Sequence, residues 1–230
     1  MSEHTKDAAV EAPFVFGVSG HRDLVQSDLP ELRKQLQTVF ERFRARYPNA
    51  SFELLTPLAE GADRVAAEVA LTCGIRLGVP MPMAQPEYER DFTTPESLGE
   101  FRRLLARAGS HWEVSDGSPK QTSLSDSQVR AQKYAAVGEF IARKSHVLIL
   151  LWDGRDNQKV GGTAWVKKRR EHWITAGAQE GAGPDIFGYA GTIQVVTPRA
   201  AAGGTARPRI EIVGELPIAG RDQTEERSRL

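Results

Sequence analysis

Four polar clusters in this sequence carry residue types that handle anions and sugars. Ser19-Gly20-His21-Arg22 sets a hydroxyl, an imidazole and a guanidinium beside a glycine. Glu60-Gly61-Ala62-Asp63-Arg64 stands between an apolar run and an Ala/Val/Glu helical pattern. Gly161-Gly162-Thr163 opens another helical pattern, and Asp153-Gly154 follows the most apolar run in the chain. A glycine turn that feeds a helix aims unpaired backbone N–H groups and the positive end of the helix dipole at one spot, which suits a phosphate. Glycine also lets backbone approach a ligand closely. Arg22 and Arg64 would add guanidinium forks, Ser19 and Thr163 hydroxyls, and Asp153 an acceptor for ribose hydroxyls. Tyr88 and Asp91, in the Pro-punctuated stretch 81–92, could close over a base or ribose or serve packing alone. Glu60 and Asp63 read either as a helix cap and an ion pair with Arg64, which is the preferred reading, or with Asp153 as acids working on a glycosidic bond.

These clusters need elements to hold them. Phe14–Ser19, Phe52–Thr56 and Ile75–Pro80 read as buried strands, and Val147–Trp152 as a central parallel strand buried on both faces. Between them, apolar residues recur at helical spacing: Leu32, Leu36, Val39, Phe40 and Phe43 after an N-cap at Asp28, then a helix from Ala62 to Gly74. Further helices are expected over 95–108, 126–143 and from Ala164. His111–Val114 and Thr192–Thr197 read as strands, and Ile210–Val213 as a small edge strand. Alternating strands and helices predict an α/β fold, a three-layer, Rossmann-like, doubly wound and mostly parallel sheet. Ligands of such sheets bind beyond the carboxyl ends of the strands, where all four clusters fall.

Composition narrows the function. Thirty basic and thirty acidic residues cancel, which argues against a protein that grips nucleic-acid backbone. A small anion needs only two or three aimed donors. Cys73 is the single cysteine, lies in an apolar helical pattern and fits a reducing, cytoplasmic setting. No stretch reaches the ~20 apolar residues of a membrane span. Residues 1–12 read as a disordered extension, 13–200 as the folded domain and 201–230 as a C-terminal extension and tail; 115–127 reads as an exposed insertion and 177–185 as a loop. Lys167-Lys168-Arg169-Arg170 reads as a solvated face, and Trp165 and Trp173 as core or dimer contacts.

In their order along the chain, Val18-Ser19-Gly20-His21-Arg22, Leu58-Ala59-Glu60-Gly61-Ala62-Asp63-Arg64, Leu150-Leu151-Trp152-Asp153-Gly154 and Gly161-Gly162-Thr163-Ala164 resemble the SLOG superfamily. This Rossmann-like group holds the Lonely Guy enzymes and the DNA-processing A proteins, and the resemblance spans residues 13–200. Its Glu60-Gly61-Ala62-Asp63 loop is similar to the second glycine loop of the DNA-processing A group, and its Gly-Gly-Thr turn to the Lonely Guy phosphate loop. Lonely Guy enzymes follow that turn with a glutamate that works at the ribose; here Ala164, Trp165, Val166 and Lys167 follow. The resemblance therefore implies phosphate binding rather than hydrolysis. It implies a module sensing a nucleotide or nucleotide-derived messenger, a homodimer, and an effector either separate or fused. The alternatives are a Lonely Guy-like N-glycosidase and a DNA-processing A-like binder of single-stranded DNA. The expected partner is a small nucleotide, with no cofactor, no metal and no nucleic acid.

Overall fold

Val147–Trp152, strand β5, is buried at all six positions, as an apolar run without polar alternation requires. Val147, Ile149 and Leu151 enter one core, and Leu148, Leu150 and Trp152 enter another on the opposite face of the sheet. This period of two is the pleat itself. The structure, a computed structural model, describes residues 12–115, 125–156, 158–180, 191–200 and 208–213. The expected N-terminal extension, most of the insertion at 115–127, the linker after 200 and the tail lie outside the described residues.

The strands are β1 (Phe14–Gly20), β2 (Phe52–Leu55), β3 (Arg76–Met81), β4 (Ser110–Glu113), β5, β6 (Gly191–Val196) and β7 (Arg209–Val213). They form one sheet in the order β4-β3-β2-β1-β5-β6-β7. The first six are parallel, and β7 pairs antiparallel with β6 at the edge. The expected α/β, doubly wound, mostly parallel sheet is what the chain forms.

Chain direction across the sheet reverses at β1, which lies between β2 and β5. Helices α1 (Leu29–Arg46), α2 (Ala62–Thr72) and α4 (Pro95–Leu105) cover one face, with the four-residue α3 (Gln85–Tyr88) between α2 and α4 in sequence. Phe16 meets Phe40 edge-on at 5.0 Å, fixing α1 over β1. Helices α5 (Asp126–Lys144) and α6 (Thr163–Glu180) cover the other face. A Cβ on Gly17 would come within 2.6 Å of Ile141, so α5 rides directly on β1. Two helical layers thus part above the end of β1, at the switch point where doubly wound sheets open a crevice.

Two sequence expectations change here. Asp28 lies in a 3₁₀ turn with helical backbone and makes no side-chain cap bond, so α1 starts without the expected N-cap. Helix α6 continues to Glu180, through the start of the loop expected over 177–185. Among the described residues no helix is long and apolar enough to cross a membrane.

Candidate functional site

At the carboxyl ends of β1 and β5 the layers leave a cleft of ≈ 590 Å³. Ser19, Gly20, His21 and Arg22 after β1, Asp63 of α2, and Gly161, Gly162 and Thr163 before and at the start of α6 all line it. Three of the four polar clusters named from sequence therefore meet at one place. Another hollow, of ≈ 650 Å³, opens among residues such as Glu41, Arg44, Ser51 and Arg76, at the amino ends of β2 and β3. No candidate residue lines it, and ligands of such sheets sit at the other edge.

The rim is knitted by backbone before any ligand arrives. The His21 N–H donates to Leu151 O at 2.9 Å, and the Ala62 N–H, first of α2, donates to His21 O at 2.9 Å. A Cβ on Gly20 would lie 2.4 Å from the Ala62 Cβ and 2.5 Å from Leu151 O. Gly61 has φ +77°, and a Cβ there would lie 2.3 Å from Arg22 O. Gly20, Gly61 and Ala62 thus join β1, α2 and β5; Gly61 and Ala62 do not line the cleft, which corrects their expected ligand role.

His21 belongs to the same lock. Its Nε2 accepts the Asp153 N–H at 2.8 Å. A ring nitrogen that accepts an N–H carries no proton, so we assign the neutral tautomer with hydrogen on Nδ1. Asp153 Oδ1, 3.1 Å from the same nitrogen, is then a close neighbour and not an ion-pair partner. Burial lowers the His21 pKa below its ordinary value although Asp153 pulls it up, in agreement with that assignment. Asp153 Oδ1 also accepts the Arg155 N–H at 3.0 Å, closing an Asx turn. Asp153 and Gly154 stand outside the lining, so the expected ribose acceptor is a turn residue.

The Glu60–Arg64 corner divides. Asp63 is 6% exposed, faces the cleft and accepts the Ala59 N–H on Oδ2 at 3.2 Å. Burial raises its pKa to about 7, against the opposing pull of Arg22, the Ala59 N–H and Arg64. Arg64, the next residue, points away. Its Nε donates to Leu58 O at 3.1 Å, its Nη1 to Ser97 and to Glu100 at 2.7 Å, and its guanidinium lies 4.7 Å from the Phe92 ring centroid. Glu60 accepts from the Ser97 hydroxyl in that same network. Arg64 and Glu60 thus stand outside this cleft and line a separate hollow of ≈ 490 Å³ with Ser97 and Glu100.

Tyr88 is corrected as well. It is fully buried among Phe92, Phe101 and Tyr134, and its hydroxyl donates to Pro57 O at 3.0 Å. Asp91 does line the cleft, where it accepts from Arg130 and from the Tyr134 hydroxyl. Burial and that bond to Asp91 push the Tyr134 pKa up to about 12. Arg22 lies over the Tyr134 ring, 5.5 Å from its centroid.

Sequence reasoning missed the α5 wall. Ser127, Arg130, Ala131 and Tyr134 recur at spacings of three and four, a continuation of the core stripe past the sheet edge. Arg155, Lys159 and Arg199 complete a cationic rim, with Arg199 held by Asp23 at 2.8 Å. Beside the α5 wall stands the start of α6. Gly161 takes φ +76° against the α5 backbone, and the Gly162 N–H is spent on Lys159 O at 3.0 Å. The next N–H groups, of Thr163, Ala164 and Trp165, have no acceptor among the described residues. Among the described residues no group of three or more His, Cys, Asp or Glu could hold a metal ion. Cys73 is buried in the α2 core, and burial pushes its thiol pKa up.

No protein-family model and no curated protein matches this chain. Two solved structures similar to it are DNA processing A proteins. That of Streptococcus pneumoniae is 18% identical with a TM-score of 0.45, over 70% of this chain and 48% of its own, so the chain spans about half its length. That of Helicobacter pylori is 17% identical with a TM-score of 0.36, over 73% of this chain and 81% of its own. The Helicobacter protein binds single-stranded DNA. In this chain Arg22, Arg130, Arg155, Lys159 and Arg199 gather at one cleft although the net charge is zero, and the expectation that nucleic acid is no partner, drawn from that net charge, is withdrawn.

Proposed function

We propose that the cleft binds a phosphorylated nucleotide unit, with a phosphate at the start of α6. The observation that supports it is the shared lining: Arg22, Arg130, Arg155 and the first turn of α6 converge on one space. Three open N–H groups, the positive end of an 18-residue helix and nearby guanidinium groups together attract an anion. Single-stranded DNA is the first ligand to test. The strand would leave its phosphates on the cationic rim and one nucleotide in the cleft. The second reading, a free nucleotide, is favoured by the volume, which falls in the ~300–1,000 Å³ range of small-molecule sites.

Of Glu60, Asp63 and Asp153, the acids that cleavage of a base–sugar bond would draw on, Asp63 alone lines the cleft.

Fluorescence anisotropy of a labelled oligothymidine, with nucleoside monophosphates as competitors, separates the readings. A strand binder shows a salt slope of about −0.7 per phosphate neutralised, so roughly −2 for three contacts. A nucleotide binder leaves the strand free and gains thermal stability with one monophosphate. Binding of neither contradicts both.

A further inference from the structure

Asp63 has more acceptor capacity than the protein uses. An ionised carboxylate offers about four lone-pair sites. A single donor, the Ala59 N–H, reaches this one among the described residues. The neighbouring side chains able to serve it are committed elsewhere. Arg64 turns to Leu58, Ser97 and Glu100, the Tyr88 hydroxyl to Pro57 O, and the Tyr134 hydroxyl to Asp91. Arg22 lies over the Tyr134 ring and acts on Asp63 through space. A carboxyl only 6% exposed that lines a cleft and takes a single protein donor keeps acceptor capacity turned to the cleft, where a ligand's donor can reach it.

The position selects what that ligand group is. Asp63 stands on α2 and Thr163 on α6, helices that cover opposite faces of the sheet, and both residues line the cleft. A phosphate at the α6 wall leaves the other end of a nucleotide toward the α2 wall. A carboxylate repels phosphate and accepts from hydroxyl and N–H groups. We propose that Asp63 is the acceptor for a sugar hydroxyl or base N–H of the nucleotide whose phosphate lies at the start of α6. This assignment rests on the nucleotide reading of the cleft.

Such a contact couples binding to proton release. Asp63 accepts as the ionised form, and its pKa of about 7 divides the two forms near neutrality. The groups that bear on it are Arg22 from the β1–α1 loop, the Ala59 N–H from the β2–α2 loop, Arg64 from its own helix and the Tyr88 hydroxyl from α3. On the α5 side of the cleft, Asp91 is paired with Arg130 and Tyr134. Apparent affinity scales with the fraction of protein in the competent form, which rises about tenfold between pH 6 and pH 8 for a group titrating near 7.

The test is calorimetry of the full chain and of Asp63→Asn at pH 6 and pH 8. The probes are the four ribonucleoside monophosphates, their 2′-deoxy counterparts and short homo-oligonucleotides of DNA and RNA. The expected result is a roughly tenfold gain in wild-type affinity from pH 6 to pH 8 beyond whatever gain Asp63→Asn shows, since the variant shares the phosphate's own ionisation. Loss of that extra gain with the deoxy probe assigns the contact to a sugar hydroxyl, and dependence on base identity assigns it to an N–H. Equal pH gains in both proteins, with a probe bound, overturn the role of Asp63 and leave the nucleotide reading standing. Binding of no probe at either pH overturns that reading and this one together. A measurement without substitution runs beside it, the carbon-13 shift of the Asp63 carboxyl. Its midpoint should fall by about one pH unit or more on saturation, and an unmoved midpoint contradicts the proposal.

Discussion

The His21 imidazole accepts the backbone N–H of Asp153 through Nε2 at 2.8 Å, tying the loop after β1 to the loop after β5. Because this bond needs a neutral ring, it sets the first prediction. His21→Ala leaves a part-buried N–H without its acceptor and should destabilise the fold by about 1 kcal/mol in urea unfolding. The wild-type protein carries a pH dependence with the same origin. The folded pKa of His21 is lowered from 6.5, so the unfolded chain binds the proton more readily. That stability is fully present above pH 6.5 and is lost as pH falls through the folded value. Urea midpoints at about pH 7.5 and 5.5 should show a drop that shrinks in His21→Ala.

Gly61 tests the join between the two loops. Its φ of +77°, and the Arg22 carbonyl oxygen that an added Cβ would meet at 2.3 Å, exclude any side chain. Strain alone is worth about 1–3 kcal/mol, and the clash adds to it. Gly61→Ala should lower the melting temperature sharply and weaken ligand binding together with it. A variant as stable as wild type would show that the loops do not meet this way.

Arg22 and Arg64 should part company. Arg64→Ala removes a part-buried ion pair and three further contacts, and a loss of about 2 kcal/mol is expected with ligand affinity unchanged once folding is corrected for. Arg22→Ala should leave stability within about 0.5 kcal/mol. Its effect is on the ligand, with affinity down about tenfold, the equivalent of ~1.4 kcal/mol. Anisotropy and thermal melts on both variants decide.

Helix geometry explains why Arg64 departs from its expected place. Successive residues of an α-helix are about 100° apart. When Asp63 faces the cleft, Arg64 must face elsewhere, and it fills a site beside Phe92 and Glu100. The strands were legible because Val147–Trp152 and Phe14–Ser19 are apolar at every buried position, and the parallel pairing follows from alternation of strand and helix. The α5 wall was not. Tyr134 belongs to the apolar stripe of its helix, and only the height of α5 above the end of β1 turns Ser127, Arg130 and Tyr134 toward a cleft. Asp153 departs from its expected role for a local reason, since an Asp followed two residues later by a free N–H closes its own turn.

Gly162→Asp tests the phosphate end. Gly162 lines the cleft, and its N–H is already used by Lys159 O, so a new carboxylate there meets the ligand with charge alone. Unfolding should stay cooperative, while the affinity for any phosphorylated probe falls about tenfold or more. Unchanged affinity would remove the phosphate from the start of α6.

The most direct measurement is a proton–nitrogen NMR titration of the uniformly labelled chain with the short oligonucleotide and then with a nucleoside monophosphate. The amides of Thr163, Ala164 and Trp165 should move first and furthest, joined by Ser19 to Arg22 and by Asp63. Shifts confined to the hollow around Glu41, Arg44 and Arg76, or no shifts at saturating concentrations of either probe, would contradict binding in the cleft.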